Sequence, residues 1–233
     1  MVIERYETRF KAGQALSEII KNDNSELFTN LIEYPDESFC FAIPNGGVPI
    51  AEGFCNRFNL KYDLIIVRKI KIPWNTEAGF GSITTDGTVL INEPLLNQLN
   101  LTKEQLEKAK SITRREIQER LELYEKQDDL EENYTYKIQG KQIFMMDDGL
   151  ASGFTMMAAI QMVKKYKPKN IFIAVPTAPL HTVQTLDMLV DHIFCPIIRE
   201  VWRFAVADAY KHWYDVPESE VLEILKKSSY YLK

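Results

Sequence analysis

The chain reads as an open α/β domain built on a mainly parallel sheet flanked by helices. Three observations predict this. Short apolar runs, "FCFAI" at 39–43, "IFMM" at 143–146 and "IFIAV" at 171–175, read as buried strands. Segments with helical periodicity alternate with those runs, the pattern that favours a parallel sheet. Loops bearing Gly, Pro and Asn separate them.

The elements follow in order. Residues 7–21 place Phe10, Ala12, Leu16, Ile19 and Ile20 roughly on one helical face. The strand at 39–43 ends in a loop, "PNGG", and "VPIAEGFCNRF" (48–58) continues as a helix. "YDLIIVRK" (62–69) reads as a second strand with basic residues at its end, which completes a β-α-β unit. Within "GSITTDGTVLIN" (81–92), Asp86-Gly87 is a strong hairpin signal. Residues 102–126 read as a long exposed helix. Thr102 and Gln105 suit a capping box, and Leu106, Ile112, Ile117, Leu121 and Tyr124 form a broken stripe. Residues 72–138 are therefore expected to be an insertion of hairpin plus long helix, perched on one domain spanning 1–233, able to act as a lid. The sheet pattern then resumes: strand 141–148, helix 153–166, strand 169–176, helix 178–189 and strand 191–196. The segment from Pro196 is irregular and aromatic until "PESEVLEILKK" closes the chain as a helix.

Composition narrows the function classes. The 233 residues are 45% hydrophobic and 26% charged, an ordinary globular balance. No apolar run approaches the roughly 20 residues of a membrane span, and the charged start "MVIERYETRF" lacks the core of a secretory signal. A cytoplasmic protein without a membrane partner is expected. The net charge of −5 argues against nucleic acid as a partner but leaves room for a small anion held by a local cluster. Cys40, Cys55 and Cys195 lie far apart in apolar contexts and read as buried thiols. His181, His192 and His212 receive no catalytic role.

The chemistry concentrates in "IFMMDDGLASGFTMMAA" (143–159). In an open α/β sheet, ligands bind beyond the carboxyl ends of the strands, and Asp147 and Asp148 fall at such an end. The turn that follows opens a helix whose first N–H groups lack partners within it, so it suits a phosphate. Ser152 and Thr155 add hydroxyls. Carboxylates repel phosphate, so the aspartates need another task, such as accepting from sugar hydroxyls with a divalent cation nearby. A phosphorylated sugar satisfies both halves. No Lys follows Gly153, so this is not a Walker A loop. A phosphosugar hydrolase would lack an evident nucleophile.

These residues resemble the motif by which type I phosphoribosyltransferases bind phosphoribosyl pyrophosphate (PRPP): four apolar residues, two acidic ones, then small and hydroxyl residues around T-G-x-T, here Ser152-Gly153-Phe154-Thr155. The resemblance extends over nearly the whole chain to a subgroup of poorly defined substrate. "RFKAGQALSEII", "PNGGVPIA" (against P-R-G-G-V-P), "IVRKIK", "GSITTDGTVLINE" and "AYKHWYDVPESEV" carry it. It implies that Asp147 and Asp148 are the catalytic pair on the ribose hydroxyls. Ala151, Ser152, Gly153, Phe154 and Thr155 would hold the 5-phosphate. Asn45, Gly46 and Gly47, through backbone N–H groups and often an unusual peptide geometry, would hold pyrophosphate with Arg68 and Lys69. Mg²⁺ would be held mainly by PRPP and water, with Asp147 and Asp148 as indirect ligands. A hood from 196 to 233 would cover the base, with Trp202 and Phe204 as stacking candidates. The implied reaction transfers phosphoribosyl from PRPP to a purine or pyrimidine base in nucleotide salvage, by a homodimer. The alternative is a PRPP- or nucleotide-binding regulator with little turnover. Two positions depart from the subgroup: Asn45 stands where Arg is common, and Asp208 where glycine is typical.

Overall fold

The computed structural model describes residues 5–126 and 130–232. Its elements run α1 (Arg9–Asp23), α2 (Ser25–Glu33), β1 (Ser38–Ala42), α3 (Gly47–Phe58), β2 (Tyr62–Leu64), β3 (Val67–Ile72), β4 (Asn75–Thr84), β5 (Val89–Ile91), α4 (Glu93–Leu99), α5 (Lys103–Leu123), α6 (Leu130–Ile138), β6 (Gln142–Met146), α7 (Phe154–Lys165), β7 (Asn170–Ala174), β8 (Thr177–Pro179), α8 (Leu180–Asp187), β9 (His192–Phe194), β10 (Ile197–Arg199) and α9 (Glu218–Lys227).

The central sheet has the order β2-β1-β6-β7-β9, and each of its pairings is parallel. Its strands are apolar on both sides because both faces are covered. Cys40 and Ala42 of β1 join one hydrophobic cluster with α1 and α3. Phe39, Phe41 and Ile43 join the other with α7. The chain leaves β1 for β2 on one side and returns to β6 on the other. This reversal of direction opens a crevice between the carboxyl ends of β1 and β6.

The segment "YDLIIVRK" divides into two strands. Residues 62–64 belong to the parallel sheet, whereas β3 starts a separate antiparallel sheet of order β3-β4-β5. Gly87, at φ +82°, makes the turn between β4 and β5. Thr102 and Gln105 form the expected capping box at the start of α5, which packs along β3. The three cysteines are free and buried, and burial pushes the Cys195 thiol up to about 12.

Two features fix the frame. Helices α1 and α3 cross in close contact. A Cβ on Gly13 would lie 2.1 Å from the Ile50 carbonyl oxygen, and one on Gly53 would lie 2.1 Å from that of Phe10. Residues just before α1 are sewn to the C-terminal region: the Tyr6 N–H donates to the Ala209 carbonyl at 2.8 Å, and the Lys211 N–H to the Tyr6 carbonyl at 2.9 Å.

A buried charge cluster ties the end of the α5 region to the sheet edge. The Asp63 carboxylate on β2 accepts from Lys126 at 2.5 Å and from Lys137 at 2.8 Å, with all three side chains essentially inaccessible. Burial lowers the pKa of Lys137, and the Asp63 charge opposes that shift. Removing the shared carboxylate strands two ammonium groups, a change that costs about 3–5 kcal/mol in buried pairs. Asp63→Ala is therefore expected to lower the unfolding free energy by about that amount in urea denaturation. A loss below about 1 kcal/mol would mean that the two lysines are held by other means.

Candidate functional site

Strand pairing builds the site. The β1–β6 register sets Ala42 opposite Met146, and the Ile43 N–H donates to the Met146 carbonyl at 2.9 Å. The loop after β1 and the acidic turn after β6 therefore leave the sheet side by side. Residues 44–46 form the turn that leads into α3, and the Pro44–Asn45 peptide is cis. A Cβ on Gly46 would lie 2.1 Å from Asp148 Oδ2, and one on Gly47 would lie 2.6 Å from the Met146 carbonyl oxygen. Side chains at these positions would collide with the acidic turn.

Asp147 and Asp148 are both half-buried. The Asp148 N–H donates to Asp147 Oδ1 at 2.8 Å. Burial pushes the Asp147 carboxyl well above the usual carboxylate range, and the neighbouring Asp148 charge adds to this. Burial also raises Asp148, but its hydrogen bond and charge interaction with Arg9 pull it back. Arg9 Nε donates to Asp148 Oδ2 at 2.7 Å, and Arg9 Nη2 donates to the Tyr214 carbonyl at 2.9 Å. The guanidinium lies 4.3 Å from the Trp213 ring centroid and 5.3 Å from that of Tyr210. The Tyr210 hydroxyl donates to the Asp148 carbonyl at 2.7 Å. The carboxylate pair is thus backed by a cation and by the C-terminal segment.

Past the aspartates, Ala151 and Ser152 are exposed, and the Ala151 carbonyl accepts from the Thr182 hydroxyl at 2.7 Å. Gly153, at φ +73°, takes the left-handed conformation as N-cap of α7 and gives that helix no side-chain cap. Only a long contact, Phe154 N–H to Ser152 Oγ at 3.4 Å, reaches the first turn from the side chains of the loop. Phe154 is half-buried and Thr155 exposed. The helix tip therefore offers backbone donors to solvent beside the carboxylates.

The structure sorts the other expected residues. Asn45 faces the end of α5 and the C-terminal segment: its Nδ2 donates to the Val216 carbonyl at 2.8 Å, and its Oδ1 accepts from Arg120 at 3.3 Å and from the Tyr124 hydroxyl at 3.4 Å. Arg120 also pairs with Glu218. Arg68 lines a cleft of about 520 Å³ with Lys71, Glu116, Arg120 and Glu218. Burial and the Arg120 charge lower its pKa. Lys69 lies outside that cleft, its ammonium donating to the Glu77 carbonyl at 3.0 Å. Trp202 is 99% exposed and Phe204 half-buried. Val206 lies against the acidic turn, where a Cβ on Gly149 would meet its Cγ1 at 2.6 Å. Asp208 is exposed, in the short 3₁₀ turn Val206–Ala209.

Sequence reasoning missed Arg9 and the contacts of Arg120. A signal for Arg9 existed. It precedes Ala12, Gly13 and Leu16 by three, four and seven residues, so a cation occupies the buried stripe of an amphipathic helix.

The chain is similar to known proteins over most of its length. Residues 10–209 match the family model of the phosphoribosyl transferase domain. Two Mycobacterium tuberculosis proteins, from strains CDC 1551 and H37Rv and provisionally named phosphoribosyl transferases, are each 26% identical over 186 residues. The match covers 80% of this chain and 41% of each relative, so the chain spans less than half of their length. The crystal structure of TT1426 from Thermus thermophilus has the same fold, with a TM-score of 0.71 over 94% of this chain and 97% of that one, at 24% identity.

Gly46→Ala tests the packing of loop on turn. The new methyl must displace the Asp148 carboxylate and break its pair with Arg9, a loss of roughly 3 kcal/mol. In an Asp148→Ala background the same change should cost under about 1 kcal/mol, because the colliding atoms are gone. Thermal unfolding of the four proteins in this cycle measures the coupling, and additive losses would refute it.

Proposed function

The chain belongs to the phosphoribosyl transferase domain family, and from its site we propose that it is a Mg²⁺-dependent enzyme transferring the phosphoribosyl group of PRPP to a nitrogenous base. The observation that carries this reading is the adjacency of two opposite fields in one crevice. A half-buried carboxylate pair stands at the end of β6, and an uncapped helix tip opens within the same turn. PRPP presents the matching groups: a sugar diol for the aspartates and a phosphate monoester for the helix tip.

Chemistry follows from that placement. A ring nitrogen of the base donates its electron pair to C1 of the ribose. The bond from C1 to the pyrophosphate oxygen breaks, and the pyrophosphate leaves with that pair. The transition state is oxocarbenium-like, as in glycoside hydrolysis, so positive charge develops on the sugar next to Asp147 and Asp148. Their burial makes that charge interaction stronger than it would be in water. Negative charge grows on the pyrophosphate, which the Asn45–Gly47 loop, Arg68 and Arg120 would receive. Asp147 and Asp148 alone cannot complete an octahedral Mg²⁺ shell, and no cluster of three or more ligating side chains occurs among the described residues. That donor set fits an ion held mainly by the oxygens of PRPP and by water, with the two aspartates reached through them. When bound, Mg²⁺ supplies positive charge to the leaving group. The acceptor would be a purine or pyrimidine in nucleotide salvage. Phe204, two residues before Val206 on the acidic turn, is nearer the site along the chain than the exposed Trp202.

The test is direct. The protein is incubated with PRPP, Mg²⁺ and a panel of bases, and pyrophosphate and nucleotide are followed. Turnover with at least one base is expected. PRPP binding without consumption of any base would make the protein a regulator instead, and absence of PRPP binding would defeat both readings. Asp148→Asn should lower kcat by roughly 10²-fold or more while its circular dichroism stays native. Near-wild-type activity in that variant would remove Asp148 from the assignment.

A further inference from the structure

We infer that Arg9 is a positioning residue for the sugar diol: it fixes the orientation of Asp148 and joins that carboxylate to the C-terminal segment. This rests on the functional reading above, which assigns Arg9 nothing. Arg9 is 5% exposed and sits at the first position of α1, where Thr8 caps the helix. The guanidinium is held on three sides. Its Nε donates to Asp148 Oδ2 at 2.7 Å, its Nη2 to the Tyr214 carbonyl at 2.9 Å, and its plane lies near the Trp213 ring at 4.3 Å. The rigid fork of Arg can meet the two acceptors together, and a Lys ammonium, a point charge on a flexible stem, cannot reproduce that geometry.

Two further constraints make the placement firm. The close α1–α3 crossing at Gly13 and Gly53 fixes the helix that carries Arg9. The pairing of Tyr6 with residues 209–211 fixes the chain on the other side of it. Asp148 Oδ2 is engaged by Arg9 and the carboxylate is seated over Gly46, so the pairing fixes how that carboxylate stands in the crevice. Arg9 thereby sets the direction in which Asp148 accepts from the sugar.

A salt bridge that serves only stability would weaken every ligand alike. A positioning role weakens those that carry the diol. The experiment therefore uses sugar phosphates, without catalysis. Affinities of the full chain for ribose 5-phosphate, 2,3-dideoxyribose 5-phosphate and inorganic pyrophosphate are measured by calorimetry for wild type, Arg9→Met and Arg9→Lys. Wild type is expected to prefer the diol sugar over its dideoxy analogue. Arg9→Met should reduce that preference at least about fivefold, and Arg9→Lys by a smaller factor, while pyrophosphate affinity changes less than about twofold. Should Arg9→Met fail to fold, the ratio in Arg9→Lys is read in its place. A diol preference equal to wild type in the folded variants overturns the inference and leaves the functional reading standing. A wild-type protein indifferent to the diol removes that reading, and this inference with it.

Discussion

The parallel pairing of β1 with β6 is the constraint on which the rest of the site depends. In-register pairing brings the loop of residues 43–47 and the turn that begins at Asp147 out of the sheet at neighbouring positions. From there, sterics act. Asp148 occupies the space that a Cβ at position 46 would need, so the loop must carry glycine. Two adjacent carboxylates in a half-buried setting are costly, and burial raises both pKa values. The cation that offsets this at Asp148 comes from a residue 139 positions earlier, at the start of α1.

The C-terminal segment is bound to several separate parts of the crevice. Tyr210 donates to the Asp148 carbonyl, and Arg9 donates to the Tyr214 carbonyl. Asn45 reaches the Val216 carbonyl, and Arg120 pairs with Glu218. Residues 210–218 thus touch the acidic turn, the β1 loop and α5. A segment with little regular structure is held in place by groups that also form the site.

Much of the fold was legible in the sequence, because several signals were local and strong. The apolar runs at 39–43, 143–146 and 171–175 became β1, β6 and β7. Asp86-Gly87 and the Thr102–Gln105 box carried their own turn and cap chemistry. The division of residues 62–69 was not legible. Ile65 and Ile66 are as buried as their neighbours, so an unbroken apolar run conceals the change of sheet. At the site, the acidic pair and the glycine-bearing turn could be read because adjacent residues compose them. Arg9 and Arg120 act across long sequence separations: the spacing of Arg9 in its helix marks it as buried but does not name its partner, and Arg120 looks locally like an ordinary helix charge.

Asn45 shows how such a contact alters the meaning of a substitution. Read along the chain, Asn at this position removes a positive charge from the loop, since the resembling subgroup commonly has Arg there. Read in space, the Arg120 guanidinium stands 3.3 Å from the Asn45 amide oxygen, and Arg68 is close enough to feel its charge. An Arg at position 45 would meet the Arg120 guanidinium in a partly buried setting, where like charges repel. A neutral amide that accepts from this guanidinium and donates to a backbone carbonyl is the better neighbour for it. The cation and the residue it stands beside belong to different elements, so the charge of this part of the crevice is a property of the assembled fold and not of the loop.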